Sequence, residues 1–426
     1  MEHKPDLREA LAGSIRAAAL LHIMVLAGCG ASGVGSGSAP ADDSGSGNGP
    51  GLAAGKGSGQ SIADAAPNVA GIVVGPVNIP YISITLCEPG STGNCQTIDR
   101  IAVHTASSGL RILSAAISPQ LLGKLPQQLR GNSNGALAEC TPVADGYGWG
   151  GVRTADLKIS GEAASGIPIQ VMADPQFPAV PAACASEGPI IKNAASLGAN
   201  GIIGVGPSLQ DCGQDCMQEF GRYYVCTPGA GTCVPSLATL AEQVVNPVAK
   251  FARDNNGTIV ELPPIPASGA GTLEGSLVFG IGTQSNNALG GAKVYPTDDF
   301  GALTVIYRGT TYTYGLIDSG SPINQLDDPS IRQCADGSGR YCPASPLSLS
   351  AVITSVGGSA SILSFSVENA EGLLDNEPSF AAFNIAGTPY LPQVFDLGLP
   401  FFFGRNVFTA IDGQATADGL GPYYAF

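Results

Sequence analysis

The chain carries one strand-and-turn pattern twice, and this repeat constrains its fold more than any other feature. The first copy is Ile101 to Leu113, I-A-V-H-T-A-S-S-G-L-R-I-L, and the second is Gly315 to Leu326, G-L-I-D-S-G-S-P-I-N-Q-L. In each, an apolar β-type run ends in a titratable residue, followed by Thr or Ser, a small residue and Ser. The titratable residue is His104 in the first copy and Asp318 in the second. Each copy is followed downstream by an apolar-apolar-glycine element, Ile202-Ile203-Gly204 and Phe402-Phe403-Gly404. Two halves of this kind predict a duplicated β-fold with a cleft between them.

The rest of the sequence agrees with an all-β body. Short runs rich in Val, Ile, Thr and Tyr alternate with turns drawn from 59 glycines and 32 prolines. Strands are expected at Asn78–Leu86, Thr97–Val103, Gly275–Gly282, Leu303–Tyr307, Tyr312–Ile317, Leu347–Val356 and Ile362–Val367. Helical signals are few. Asn246 to Arg253 has a cap, a first-turn proline and helical apolar spacing, and Ser236 to Val245 offers a weaker second case. With 44% hydrophobic and 12% charged residues, the 426-residue chain has enough apolar surface for a large core. Its net charge of -15 repels phosphate, which excludes nucleic acid as a partner.

The first 28 residues read as an export signal. Arg16 precedes the apolar run Ala17 to Leu26, and Leu26-Ala27-Gly28-Cys29 has the form of a lipoprotein cleavage box with Cys29 as the lipidated residue. Residues 29–67, rich in Gly, Ser, Ala and Asp, form a flexible tether. The expected product is therefore lipid-anchored in a bacterial cell envelope, most simply at the outer membrane. Residues 68–282 would form a first lobe with the strands joining the lobes, and residues 283–426 a second. Setting Cys29 aside leaves an even ten of the 11 cysteines, as expected for disulfides in an oxidising compartment. Close spacing suggests Cys87 with Cys95, Cys334 with Cys342 and Cys226 with Cys233; Cys140 with Cys184 and Cys212 with Cys216 would complete the set. Cys212, Cys216, Cys226 and Cys233 also permit a zinc reading, which the compartment disfavours. No cofactor or metal is expected.

The turn has a chemical logic. A strand end presents a carboxylate, the next glycine turns tightly while its N–H reaches a carboxylate oxygen, and the hydroxyl residues fix the group's orientation. Two such carboxylates a few ångströms apart share one proton and activate a water between them.

On these residues the chain resembles the pepsin–retropepsin superfamily of aspartic peptidases from about Tyr81 to the C-terminus. Val103 to Leu110 is similar to the first active-site turn and Leu316 to Ser321 to the second. Tyr147-Gly148-Trp149-Gly150-Gly151 resembles the flap, Asn200 to Gly206 the element behind the first turn, Gly275 to Gly282 the strand joining the lobes, and Phe402 to Phe408 the h-h-G-R-N-h-h element. The wording also resembles an uncharacterised bacterial family of exported proteins, domain of unknown function 3443. The resemblance implies a bilobed pepsin-like fold with few short helices. It places Asp318 and His104 at the catalytic positions, with Thr105, Ser107, Ser319, Gly320 and Ser321 as turn support. Tyr147 and Trp149 would be flap residues over a peptide or protein in the interlobe cleft.

Two departures bear on activity. His104 stands where the family has Asp, and Ala106 where it has Gly. An imidazole removes the shared-proton pair, and the Ala106 methyl would cost about 1–2 kcal/mol if its φ were positive. Three readings compete: a catalytically impaired homologue kept for binding, an active His–Asp variant, and an all-β envelope lipoprotein without a working cleft. Serine chemistry would have to use His104, the one histidine outside the leader, and no G-x-S-x-G elbow surrounds a candidate serine. Arg111 and Arg405 read as surface or interlobe charges. Tyr147 and Trp149 read either as ordinary core aromatics or as cleft-facing residues, Trp149 lying among glycines in a mobile and exposed setting.

Overall fold

The computed structural model describes residues 66–426 except 76, 132–134, 144–145, 228, 230, 272, 375–380 and 390. The export signal, Cys29 and nearly all of the tether lie outside the described residues. Strands dominate and helices are few and short. They form a 16-stranded sheet, a 7-stranded sheet and a small two-stranded pair. Among the described residues no helix is long and apolar enough to cross a membrane.

Alternation drives the strands. Ile79–Cys87 buries Tyr81, Ile82, Ile84 and Leu86 and pairs with Cys95–His104, whose own buried face is Ile98, Ile101 and Val103. The hairpin between them is closed by the Cys87–Cys95 disulfide, as its spacing suggested. All five proposed pairings are present, including Cys140–Cys184, Cys212–Cys216, Cys226–Cys233 and Cys334–Cys342. The zinc reading fails because the four sulfurs it needs are bonded in pairs.

The chain does not divide at residue 282 into separate sheets. Strands Val294–Pro296, Arg405–Ala410 and Tyr423–Ala425 return to the larger sheet, where Arg405–Ala410 pairs with Gly257–Leu262. The 7-stranded sheet holds the strands between Leu303 and Leu397.

The helical readings need correction. Residues 236–245 form no helix, and only Val248–Lys250 makes a short 3₁₀ turn. Side chains satisfy the backbone there instead. Glu242 accepts from Thr239 N at 2.8 Å, Gln243 donates to Gly213 O and Ala238 O, and Asn246 donates to Gly206 O. Polar side chains that bond local backbone offer an alternative to helix, and burial makes it worthwhile.

Candidate functional site

The two strand–turn elements meet. Strand Gly201–Val205 runs parallel to Cys95–His104, pairing His104 with Gly204, and antiparallel to Ser108–Leu113. The second copy repeats this. Val394–Leu397 runs parallel to Thr310–Ile317, pairing Ile317 with Leu397, and antiparallel to Asn324–Gln325 at Gln325–Asp396. In each copy a third strand threads between the arms of a turn. A side chain at Gly204 would come 2.6 Å from the Ser107 carbonyl carbon, and one at Gly398 would overlap Ile323 O, so both positions require glycine.

This corrects the second apolar-glycine element. The residues behind the Asp318 turn are Asp396-Leu397-Gly398. Phe402-Phe403-Gly404 instead leads into Arg405–Ala410 of the larger sheet.

Hydroxyl groups cross between the turns. Thr105 Oγ1 donates to Ile317 O at 2.8 Å and accepts from Ser319 N at 2.9 Å, and Ser319 Oγ donates to Val103 O at 2.6 Å. Both side chains are fully buried. Each thus ties the residue before the other turn's titratable group, so His104 and Asp318 are held side by side. The His104 ring lies against Gly320, where an added methyl would overlap the imidazole. Both titratable side chains remain partly exposed. Among the described residues no hydrogen bond joins them.

The other turn residues have distinct roles. Gly320 N donates to Asp318 Oδ1 at 2.7 Å, as the turn's logic requires. Ser321 Oγ lies 3.3 Å from Asp318 Oδ2 and is hydrogen-bonded to Asp396. Ser107 acts through its carbonyl, which accepts from Gly206 N, while its hydroxyl is buried without a partner. Ala106 is not among the residues with positive φ, so the strain feared for its methyl does not arise.

Three residues near the pair escaped the sequence reading. Asp396, 4% exposed, is linked to Asp318 through the Ser321 hydroxyl, and its Oδ1 has no partner. Burial, then the charge of Asp318, pushes its carboxyl well above the ordinary range. Its signal was a lone acid inside the apolar run V-F-D-L. Tyr424, from the last strand, donates to Thr105 O at 3.3 Å. Arg111 is not a surface charge: it is 4% exposed and binds Glu139 Oε1 at 2.8 Å, Asp211 Oδ2 at 2.9 Å and Ser108 O. Burial and the neighbouring Glu139 charge raise the Asp211 carboxyl well above its usual value.

His104 is pushed below its ordinary pKa by burial, with Asp318 opposing and Arg111 adding to the depression. The imidazole is therefore neutral at neutral pH. These shifts carry opposite pH signatures. The depressed His104 contributes stability above the ordinary histidine range, which is lost as pH falls through the folded value. The raised Asp396 contributes stability at acid pH, lost as pH rises from the ordinary carboxyl range through its elevated value; Asp211 has the same sign. Urea unfolding across acidic to alkaline pH is expected to show a shallower alkaline decline for Asp396→Asn and a shallower acid decline for His104→Gln. Slopes identical to wild type would contradict these environments.

Tyr147 and Trp149 are placed differently from an open flap. Strand Gly146–Ile159 is paired on both sides, and Trp149 is 1% exposed, its indole N–H bonded to Phe177 O and its ring edge-on to Tyr224. Tyr147 is buried in the same cluster. The glycines around Trp149 do not mark mobility. Side chains at Gly148 and Gly150 would collide with Met172 and the Val171 carbonyl, so these glycines allow close packing.

With the geometry in place, comparison with known families is decisive for kinship. A family model described as "Protein of unknown function (DUF3443)" matches residues 64–426. The chain belongs to this family. The match spans both strand–turn elements, so the His104–Asp318 pair falls within the family's own domain. No curated protein matches the chain.

Proposed function

We propose that this family member is an exported, lipid-anchored protein on an aspartic-peptidase-like bilobed frame with impaired catalysis. It binds an extended peptide or protein segment across His104 and Asp318. The observation that carries the reading is the crossed hydroxyl bonding of Thr105 and Ser319, which holds two strand-end titratable groups together although one is a neutral imidazole. A frame that needs two fully buried polar side chains costs desolvation unless every bond is made, and here it is retained without the second carboxylate. The five disulfides and the Cys29 box support an oxidising envelope compartment.

Selection of a displayed random peptide library on the full chain tests the binding role. Selected peptides should be recovered intact and lose affinity by about tenfold or more on Asp318→Arg. Peptides indifferent to that substitution would refute the site.

One observation favours an active variant as the second reading. Asp396, joined to Asp318 through Ser321, supplies a second carboxyl within the same half. Asp318 would then take a proton from water as it attacks an amide and return it to the leaving amine, with Asp396 retaining its own proton.

A further inference from the structure

A groove of about 630 Å³ opens between the strands Leu347–Thr354 and Ala360–Val367 on one side and the segments around Pro264 and Phe401–Arg405 on the other. Its volume is in the range of small-ligand sites, about 300–1,000 Å³. Leu349, Phe365, Phe383, Phe401 and Phe403 give it an apolar lining. Two polar groups in that lining lack what they need. The Arg405 guanidinium sits 4.5 Å from the Phe401 ring centroid and donates to the Phe401 carbonyl. No carboxylate among the described residues lies within ion-pair distance of it. Burial lowers its pKa with no neighbouring anion to offset the cost. Asn324, 2% exposed, has its side-chain oxygen buried without a donor.

An unpaired cation in an apolar groove of a chain with net charge -15 is complementary to an anion carried on an apolar body. The serines of the two strands, Ser348, Ser350, Ser364 and Ser366, narrow the choice, because hydroxyls in the lining suit the amide groups of a peptide. We propose that this groove binds the C-terminal end of a peptide whose last residue is apolar. The α-carboxylate pairs with Arg405, the side chain enters the aromatic lining, and the backbone amides meet the serine hydroxyls. A fatty carboxylate would satisfy Arg405 and the aromatic lining but leave the serine hydroxyls without a polar partner on its chain. The groove is separate from the His104–Asp318 pair, and Arg405 rather than Asp318 is its diagnostic residue.

Fluorescence anisotropy on the full chain tests this with a labelled hexapeptide ending in Ser-Phe-Leu, as free acid and as C-terminal amide. The free acid should bind saturably and the amide about tenfold or more weaker. Arg405→Gln should weaken the free acid to the level of the amide, while Lys124→Gln, an exposed charge paired with Glu88, should change nothing. Should Arg405→Gln fail to fold, the acid–amide comparison on wild type decides alone. No saturable binding, or equal binding of acid and amide, would overturn the proposal. Dodecanoate binding as tightly as the free-acid peptide would overturn the peptide assignment in favour of a lipid carboxylate.

Discussion

Thr105→Val is expected to be among the most destabilising substitutions available in this chain, at about 2–6 kcal/mol in urea unfolding. Valine fills nearly the same volume, so packing changes little. It leaves Ile317 O without its donor and Ser319 N without its acceptor, at a site with no solvent access. Each stranded buried group costs about 1–3 kcal/mol. Thr105→Ser keeps the hydroxyl and loses only a methyl group, and should cost about 1 kcal/mol. The contrast between the two isolates the hydroxyl. Equal effects would mean that the crossed bonds do not hold the turns together.

The second large effect concerns chemistry. His104→Asp places a carboxylate at the end of the first strand, beside Asp318 and over Gly320, in a space that already holds a larger ring. Two carboxylates there would share a proton. The variant is expected to cleave peptides at acidic pH at about a hundred times the wild-type background or more, the lower range of general acid–base contributions. Because Ala106 lacks a positive φ, adding Ala106→Gly should bring little further gain. A His104→Asp protein that folds and remains inert would contradict the peptidase-like reading of the paired turns.

The duplication was legible because it is written in local chemistry: an apolar run, a titratable group, a hydroxyl and a small residue in fixed order. The disulfides were legible because short spacing restricts which sulfurs can meet, as at Cys87–Cys95 and Cys334–Cys342. Asp396 was hidden by the rule that found its counterpart. An acid replaces an apolar residue before Gly398, so the pattern of two apolar residues and a glycine is met at Phe402-Phe403-Gly404 instead. What distinguishes the two is strand pairing, a long-range property. Of the two readings of Trp149 the core one holds: glycine suggests freedom, whereas Gly148 and Gly150 serve close approach within a sheet paired on both sides. Arg111 was misread because its partners, Glu139 and Asp211, are remote in sequence, and nothing near it announces a buried charge.

The balance between a binding frame and an active variant rests on Asp318, which both readings use and only one requires for bond cleavage. A peptide-library cleavage assay on the full chain, from acidic to neutral pH and beside Asp318→Ala, separates the two. A binding frame gives no cleavage by wild type above the Asp318→Ala background. Wild-type cleavage that Asp318→Ala abolishes would contradict it.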